Sequence, residues 1–229
     1  VNELQNKVNS DFSRAIMTGL RERQKAGRRR DILAAASQLF RKNGFADTSV
    51  EAIAALAEVG TGTVYNYFSS KGDLLMALVA LDGEQVRAKG KRYIAGVTGE
   101  AAAALYGLLA IYVDHSLVHL TKELWRNAVA TAVTQADSPF GTGYAENDRL
   151  LAAQVGELVA ALQEAGKVRS DIDAATAGAA LFILVNGLFM QFVARDKMPK
   201  ADIHARLREQ VAIFVGGLSE TNVPQRKRA

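Results

Sequence analysis

The sequence predicts an all-α protein, with a small N-terminal three-helix unit followed by a larger helical part. Apolar residues recur at three- and four-residue spacing along most of the 229 positions. Only three prolines interrupt them, alanine and leucine dominate, and no β-branched run alternates strictly as a strand would.

Residues 1–27 combine polar side chains with the series Leu4, Val8, Phe12, Ile16 and Leu20. That spacing fits a helix packed on a partner or a loosely ordered arm, and the polar bias favours a flexible extension. Met17 reads as a natural start, so residues 1–16 would precede it. From Arg28 the pattern firms: Ile32, Ala35, Ala36, Leu39 and Phe40 form a stripe ending at the helix-stop pair Asn43-Gly44. Phe45 caps the corner. Thr48-Ser49-Val50-Glu51 resembles a capping box opening a second helix of about eight residues through Ile53, Ala54 and Ala57.

Glu58-Val59-Gly60 forms a turn, after which Thr61-Gly62-Thr63-Val64-Tyr65-Asn66-Tyr67-Phe68 reads as a third short helix. Two short helices at this separation have the layout of a helix-turn-helix, spanning about residues 49–68. Val64 and Phe68 share one side. Thr61, Thr63, Asn66 and the hydroxyls of Tyr65 and Tyr67 point elsewhere, carrying groups suited to base edges and phosphates. The same eight residues would also serve an ordinary amphipathic helix with two surface tyrosines. Ser70 and Asp73 form another capping box, starting a long helix through Leu74, Leu75, Leu78 and Leu81 toward residue 95. Lys71 in its first turn opposes the helix dipole unless an anion lies nearby, and a DNA phosphate would be one. Arg28, Arg29 and Arg30 are either a solvated face or a cationic run reaching a DNA backbone or minor groove.

Charge is uneven. Residues 1–96 hold 15 basic and 10 acidic side chains and residues 97–229 hold 13 and 14, so +5 faces −1. This favours a polyanion-binding N-terminal part. The absence of cysteine excludes disulfides, thiolate metal sites and cysteine nucleophiles, and fits a reducing cytoplasm. No run of about 18 apolar residues escapes a polar break, so a soluble protein without membrane spans is expected.

Residues 28–75 resemble the DNA-binding domain of TetR-type (TetR/AcrR) transcriptional regulators. The resemblance rests on the Ile32–Phe40 stripe, Gly44-Phe45, Thr48-Ser49-Val50, Ile53-Ala54, Val59, the Gly62–Phe68 segment, Lys71 and Leu74-Leu75. It implies phosphate contacts from Thr48 or Ser49 and from Lys71. It also implies base-edge contacts from Thr61, Thr63 and Asn66 beside Gly62, and backbone or groove contacts from Tyr65 and Tyr67. Glu58 stands where the family often has glycine, and a left-handed conformation there would cost on the order of 1 kcal/mol. Gly60 stands where serine is frequent, removing one possible DNA contact.

Residues 96–220 show a more general likeness, which implies a ligand-binding and dimerisation domain, and 221–229 form a basic tail. The segment 101–121 is apolar on nearly every side and resembles the family's central helix. Tyr106, Leu109, Tyr112, His115, Trp125, Phe140, Phe182, Asn186 and Met190 are candidates to line a pocket or simply to pack the core. Apolar helices over about 174–194 and 202–218, after Asp171-Ile172-Asp173, look like the pair that builds the family's homodimer, or like one internal hairpin. Ser138–Gly143 reads as a loop bordering a pocket entrance, without the order of a phosphate cradle.

His115, His119 and Glu123 have a spacing that could hold a metal, yet ordinary hydrogen bonding is the simpler reading, so neither metal nor cofactor is expected. The resemblance implies a cytoplasmic, bacterial-type homodimeric repressor, released from palindromic double-stranded DNA by an unknown small-molecule effector. Alternatives are a DNA-binding regulator without an effector and a small helical ligand-binding protein or enzyme. No nucleophile–base pair at convincing spacing supports the last.

Overall fold

A computed structural model describes residues 2–218, with side chains from Glu22 onward. Among the described residues there are nine α-helices and no strand. They are α1 Asn2–Asn43, α2 Val50–Leu56, α3 Thr61–Tyr67, α4 Lys71–Ala95 and α5 Ala101–His115, then α6 Lys122–Thr134, α7 Pro139–Glu164, α8 Ala174–Val193 and α9 Lys200–Leu218. The chain divides into two compact units, Val1–Leu74 and Leu75–Ala229. The proposed basic tail at 221–229 lies outside the described residues, as do the side chains of Leu4, Val8, Phe12, Ile16 and Leu20.

In the first unit the helix expected to begin at Arg28 begins at Asn2 and runs unbroken to Asn43. No proline and no stop signal interrupts the polar stretch, so the backbone ladder continues through it. Ile32, Ala36, Phe40, Ile53 and Val64 are fully buried and form the core on which α1, α2 and α3 meet. Phe40 and Phe45 stack with centroids 5.3 Å apart and close the α1–α2 corner.

The α2 cap sits one residue later than the sequence suggested. Ser49 is the N-cap, its Oγ accepting from the Ala52 N–H at 3.1 Å. Glu51 therefore falls at the second helical position and closes no box. Thr48 is instead buried, its hydroxyl donating to the Gly44 carbonyl at 2.7 Å. The second box is nearly as expected: Ser70 Oγ accepts from the Asp73 N–H at 3.1 Å, while the Asp73 carboxylate takes the N–H of Ser69 at 2.9 Å.

Glu58 is the left-handed residue of the α2–α3 turn, with φ 54°. The Glu58 N–H donates to Ala55 O at 3.2 Å and the Val59 N–H to Ala54 O at 3.0 Å, the paired bonds of a Schellman motif. Glycine fills this position without steric cost.

In the second unit α7 and α8 pack closely, and α9 lies on α5 and α8. Gly178 of α8 meets Gly156 of α7 so tightly that a Cβ at 178 would lie 2.5 Å from the Gly156 Cα. Two expectations change here. Ser138–Gly143 is no loop: Ser138 caps α7, accepting from the Gly141 N–H at 3.1 Å, and Pro139 occupies the first turn, where its missing N–H does no harm. The 101–121 segment is helical only to His115, and Val118 beyond it is 48% exposed. Helix α8 is long and apolar enough to cross a membrane by composition. Here its buried side, including Leu181, Val185, Leu188 and Phe192, is part of the protein core. Lys122 holds its C-terminal end, donating to the carbonyls of Arg195 and Met198 at 2.7 Å each with its ammonium 3.9 Å from the Phe192 ring centroid.

Replacing Glu58 with glycine should raise the unfolding free energy by about 0.5–1 kcal/mol. Urea denaturation checks this, and a lower midpoint in E58G would contradict it.

Candidate nucleic-acid interface and interior cavity

Helix α3 has two faces of opposite character. Val64 is 0% and Phe68 5% exposed, anchoring the helix in the core of the first unit. Tyr65 is 49% exposed, Asn66 and Gly62 are exposed, and Thr61, Thr63 and Tyr67 are half-buried. A Cβ at Gly62 would meet nothing within 4 Å. The chain's own packing therefore gives no reason for glycine here, where it weakens the helix, whereas close approach of an external backbone would.

Around this face, Ser49 is exposed while Thr48 spends its hydroxyl internally, so of that pair only Ser49 presents a side chain to solvent. Arg28, Arg29 and Arg30 are exposed along α1, as part of a helix and not a free arm. The Arg29 guanidinium lies 5.3 Å from the Phe68 ring centroid. Lys71 is less free than its sequence position implied. Its ammonium donates to the carbonyls of Ala46 at 3.0 Å and Thr48 at 3.1 Å, and lies 4.7 Å from the Phe45 ring centroid. These carbonyls supply the negative charge that the helix-dipole argument sought in a phosphate. One of the three ammonium N–H groups remains for another acceptor.

The second unit contains a partly open cavity of about 70 Å³. Asp82 and Val86 of α4 form one wall, Tyr112 and Val113 of α5 and Trp125 of α6 another. Tyr144, Asn147, Asp148 and Leu151 of α7 and Phe182, Val185, Asn186 and Phe189 of α8 close it. Trp125 packs edge-on to Phe189 at 5.2 Å, and its indole N–H donates to Ser116 O at 2.6 Å. Thus Tyr112, Trp125, Phe182 and Asn186 of the expected set meet at one space. Met190 lies with Phe182 and Asn186 on a neighbouring exposed groove. Leu109 and Phe140 are buried and do not line the cavity, and Tyr106 faces the α9 residue His204 at 3.2 Å. His115 stands just behind the wall, its Nδ1 2.8 Å from Asp82 Oδ1. His119 instead reaches Gln85 at 2.9 Å, so the two histidines face separate α4 partners.

Sequence reading missed Asp82, Tyr144, Asn147 and Asp148. A signal existed for Asp82, since Leu75, Leu78, Val79 and Val86 put it on the buried stripe of α4. Burial pushes its carboxyl up to about 7, against a smaller downward pull from Lys89, and pushes the Asp148 carboxyl up to about 6, against the Asn186 hydrogen bond. Burial also lowers His115. Burial thus favours the neutral form of both groups in the Asp82–His115 contact.

Two outcomes follow for the folded protein. Lys71→Met should lower stability by about 1–2 kcal/mol through its lost carbonyl bonds and reduce the slope of log affinity against log salt for DNA by about one. A lowered stability with an unaltered slope would confine this lysine to holding the corner. Asp148 is protonated more readily in the folded chain than in the unfolded one. Its stabilising contribution is complete below the ordinary carboxyl value of 3.8 and is lost as pH rises toward about 6. Asp148→Asn should flatten that part of the stability–pH curve, read from melting temperatures across the window, and an unchanged curve would contradict the burial of this carboxyl.

Comparison with known proteins agrees with this geometry. Residues 32–78 match the family model described as bacterial regulatory proteins, tetR family, and residues 116–216 match the BetI-type transcriptional repressor C-terminal model. The HTH-type transcriptional regulator UidR of Escherichia coli K12 is 26% identical over 184 residues, 79% of this chain and 89% of its own length. The repressor KstR of Rhodococcus jostii is 39% identical over 64 residues, 28% of this chain and 30% of its own. Among solved structures, a TetR-family regulator from Mesorhizobium loti superposes with a TM-score of 0.67 at 20% identity, covering 84% of this chain and 96% of that one. FadR of Thermus thermophilus, a repressor solved with lauroyl-CoA, gives 0.60 at 24%, covering 86% and 97%. The two family models fall on the helix-turn-helix unit and on the helices α6 to α9, and the chain belongs to the TetR family of DNA-binding transcriptional regulators.

Proposed function

We propose that the protein acts as a homodimeric repressor that occupies a palindromic operator and leaves it when a small molecule fills the cavity of the second unit. The observation that carries the DNA-reading part is the exposed side of α3, where Gly62, Tyr65 and Asn66 face solvent above the anchored Val64 and Phe68. In this reading Asn66, Thr61 and Thr63 read base edges, Tyr65, Tyr67, Ser49 and Lys71 grip phosphates, and Arg28, Arg29 and Arg30 extend the cationic track. Thr48 supports the corner from inside.

Dimerisation is supported by apolar surface on the last two helices. Ile183 is 71%, Leu184 37% and Ile213 77% exposed, and Cβ atoms at Gly187, Gly216 and Gly217 would meet nothing within 4 Å. A patch of this kind favours a closely packed second copy. Effector control is supported by the cavity and by α4, one continuous helix that carries Lys71 at its start and Asp82 and Val86 on the cavity wall. The lauroyl-CoA and stearoyl-CoA complexes of the FadR relatives support ligand response in the same general architecture. A repressor of this kind works in the cytoplasm and performs no catalysis. An effector must prefer the state that cannot hold DNA, since equal affinity for both states shifts nothing.

Asn66→Ala should relax base preference at one position of each half-site by about 1–3 kcal/mol. Affinities across DNA sites differing by single bases check this, and an unchanged preference series would remove Asn66 from the reading set. Ile183→Asp combined with Ile213→Asp should convert a dimer into monomers in sedimentation and weaken operator binding. A dimer that survives both changes would place the interface elsewhere.

A further inference from the structure

In the first unit the cations and the base-reading groups lie on different helices. Residues 44–75, which hold α2, α3 and the start of α4, carry one basic and four acidic side chains, a balance of −3. Residues 22–30 of α1 carry five basic and one acidic, so this short stretch supplies +4 of the +5 excess of residues 1–96. Duplex DNA attracts cations that displace its condensed counter-ions, and a neutral hydroxyl or amide displaces none. Every side chain of α3 is neutral, and Lys71 already holds two carbonyls. The salt-dependent share of DNA affinity therefore falls to α1.

Position supports the same assignment. Arg23, Lys25, Arg28, Arg29 and Arg30 are all exposed, and no carboxylate among the described residues pairs with any of them. Lys25 and Arg29, four residues apart, continue the line of Ile32, Ala36 and Phe40, the side of α1 that is buried in the core. Arg29 stands at the edge of that core, its guanidinium 5.3 Å from the ring centroid of Phe68, the residue that caps the C-terminal end of α3. Lys25 lies one turn further on, on the same side and past the covered part of α1. From Arg23 to Arg30 the helix rises about 10 Å, which matches about three base-pair steps of duplex.

Resting on the DNA-binding role above, we propose that the 22–30 segment of α1 is a second DNA-binding surface. It lies on phosphates of the duplex beyond the bases that α3 reads, and it supplies most of the electrostatic affinity. Arg23 and Lys25 join Arg28, Arg29 and Arg30 in this contact. The division of labour leaves α3 to choose the sequence with neutral groups, while α1 holds the backbone of any sequence.

The full chain and an Arg23→Gln/Lys25→Gln variant are titrated against a random-sequence duplex of about 40 base pairs at about 50–200 mM salt, with helix content checked by circular dichroism. The variant should lower the slope of log affinity against log salt by about two per bound subunit. Lys91→Gln/Arg92→Gln, an exposed pair on α4 with the same charge change, should leave the slope within about half a unit. An unchanged slope in the α1 variant, or an equal fall in the α4 pair, overturns the proposal. The duplex that the chain selects from a random library is then compared with and without about six further base pairs at each end. Extension should raise the affinity of the chain about tenfold and that of the α1 variant by less than about threefold. Equal gains in the two proteins, or a gain in neither, also overturn the proposal. Failure to select any duplex, with the slope still falling in the α1 variant, would remove base reading by α3 and leave the cationic surface of α1 standing.

Discussion

The second unit depends on two buried amides seated over two glycines. Asn147 and Gln154, seven residues apart on α7, face Gly83 and Gly90, seven apart on α4, so closely that a Cβ on either glycine would fall 1.8 or 2.2 Å from the facing side-chain oxygen. Burying an amide costs about 1–3 kcal/mol unless its groups are bonded. Here they are bonded around a single residue and its neighbour. Asn147 Oδ1 accepts from Arg87 at 3.0 Å, the Gln154 amide donates to the Arg87 carbonyl at 2.9 Å, and Gln154 Oε1 accepts from the Tyr112 hydroxyl at 2.8 Å. This contact fixes the rotation of α4 against α7 and α5, and Asp82 and Val86 face the cavity as a result. Larger residues at 83 or 90 would force the helices apart and open the space that the aromatic side chains enclose.

Such a network also makes α4 a poor place for gradual adjustment. A set of directional bonds either holds or is exchanged for another set, which is the behaviour a two-state regulator needs. The helix bearing this network begins at Lys71, whose ammonium is tied to the carbonyls of Ala46 and Thr48. A displacement of the α4 start would therefore act on the α1–α2 corner through two hydrogen bonds and the Phe45 ring.

How much of this was legible in the sequence varied with the range of the interactions. Local signals carried the first unit: the α1 stripe, the stop at Asn43-Gly44, the short α2 and α3 and the strain at Glu58 are properties of neighbours within a few residues. The errors there were of register and extent. Thr48 and Ser49 are chemically equivalent as caps, and only burial of Thr48 against Gly44 O separates them. The α1 start was hidden because polar residues of good helix propensity carry no boundary signal. In the second unit Ser138-Pro139 was a readable helix start obscured by the glycines after it. The cavity's aromatic members could be named because large rings seek burial. Asp82, Asn147 and Asp148 could not, because a polar residue on a helix is ordinarily solvated, and their burial depends on helices distant in sequence.

In the proposed function the exposed face of α3 reads DNA and does so twice in one assembly. Selection of bound fragments from a random duplex library by the purified full chain tests it most directly. The account predicts enrichment of one palindromic sequence with half-site centres about one helical turn, roughly 34–36 Å, apart or a multiple of it. Recovery of no preferred sequence, or of a single asymmetric site bound by one copy, would contradict it.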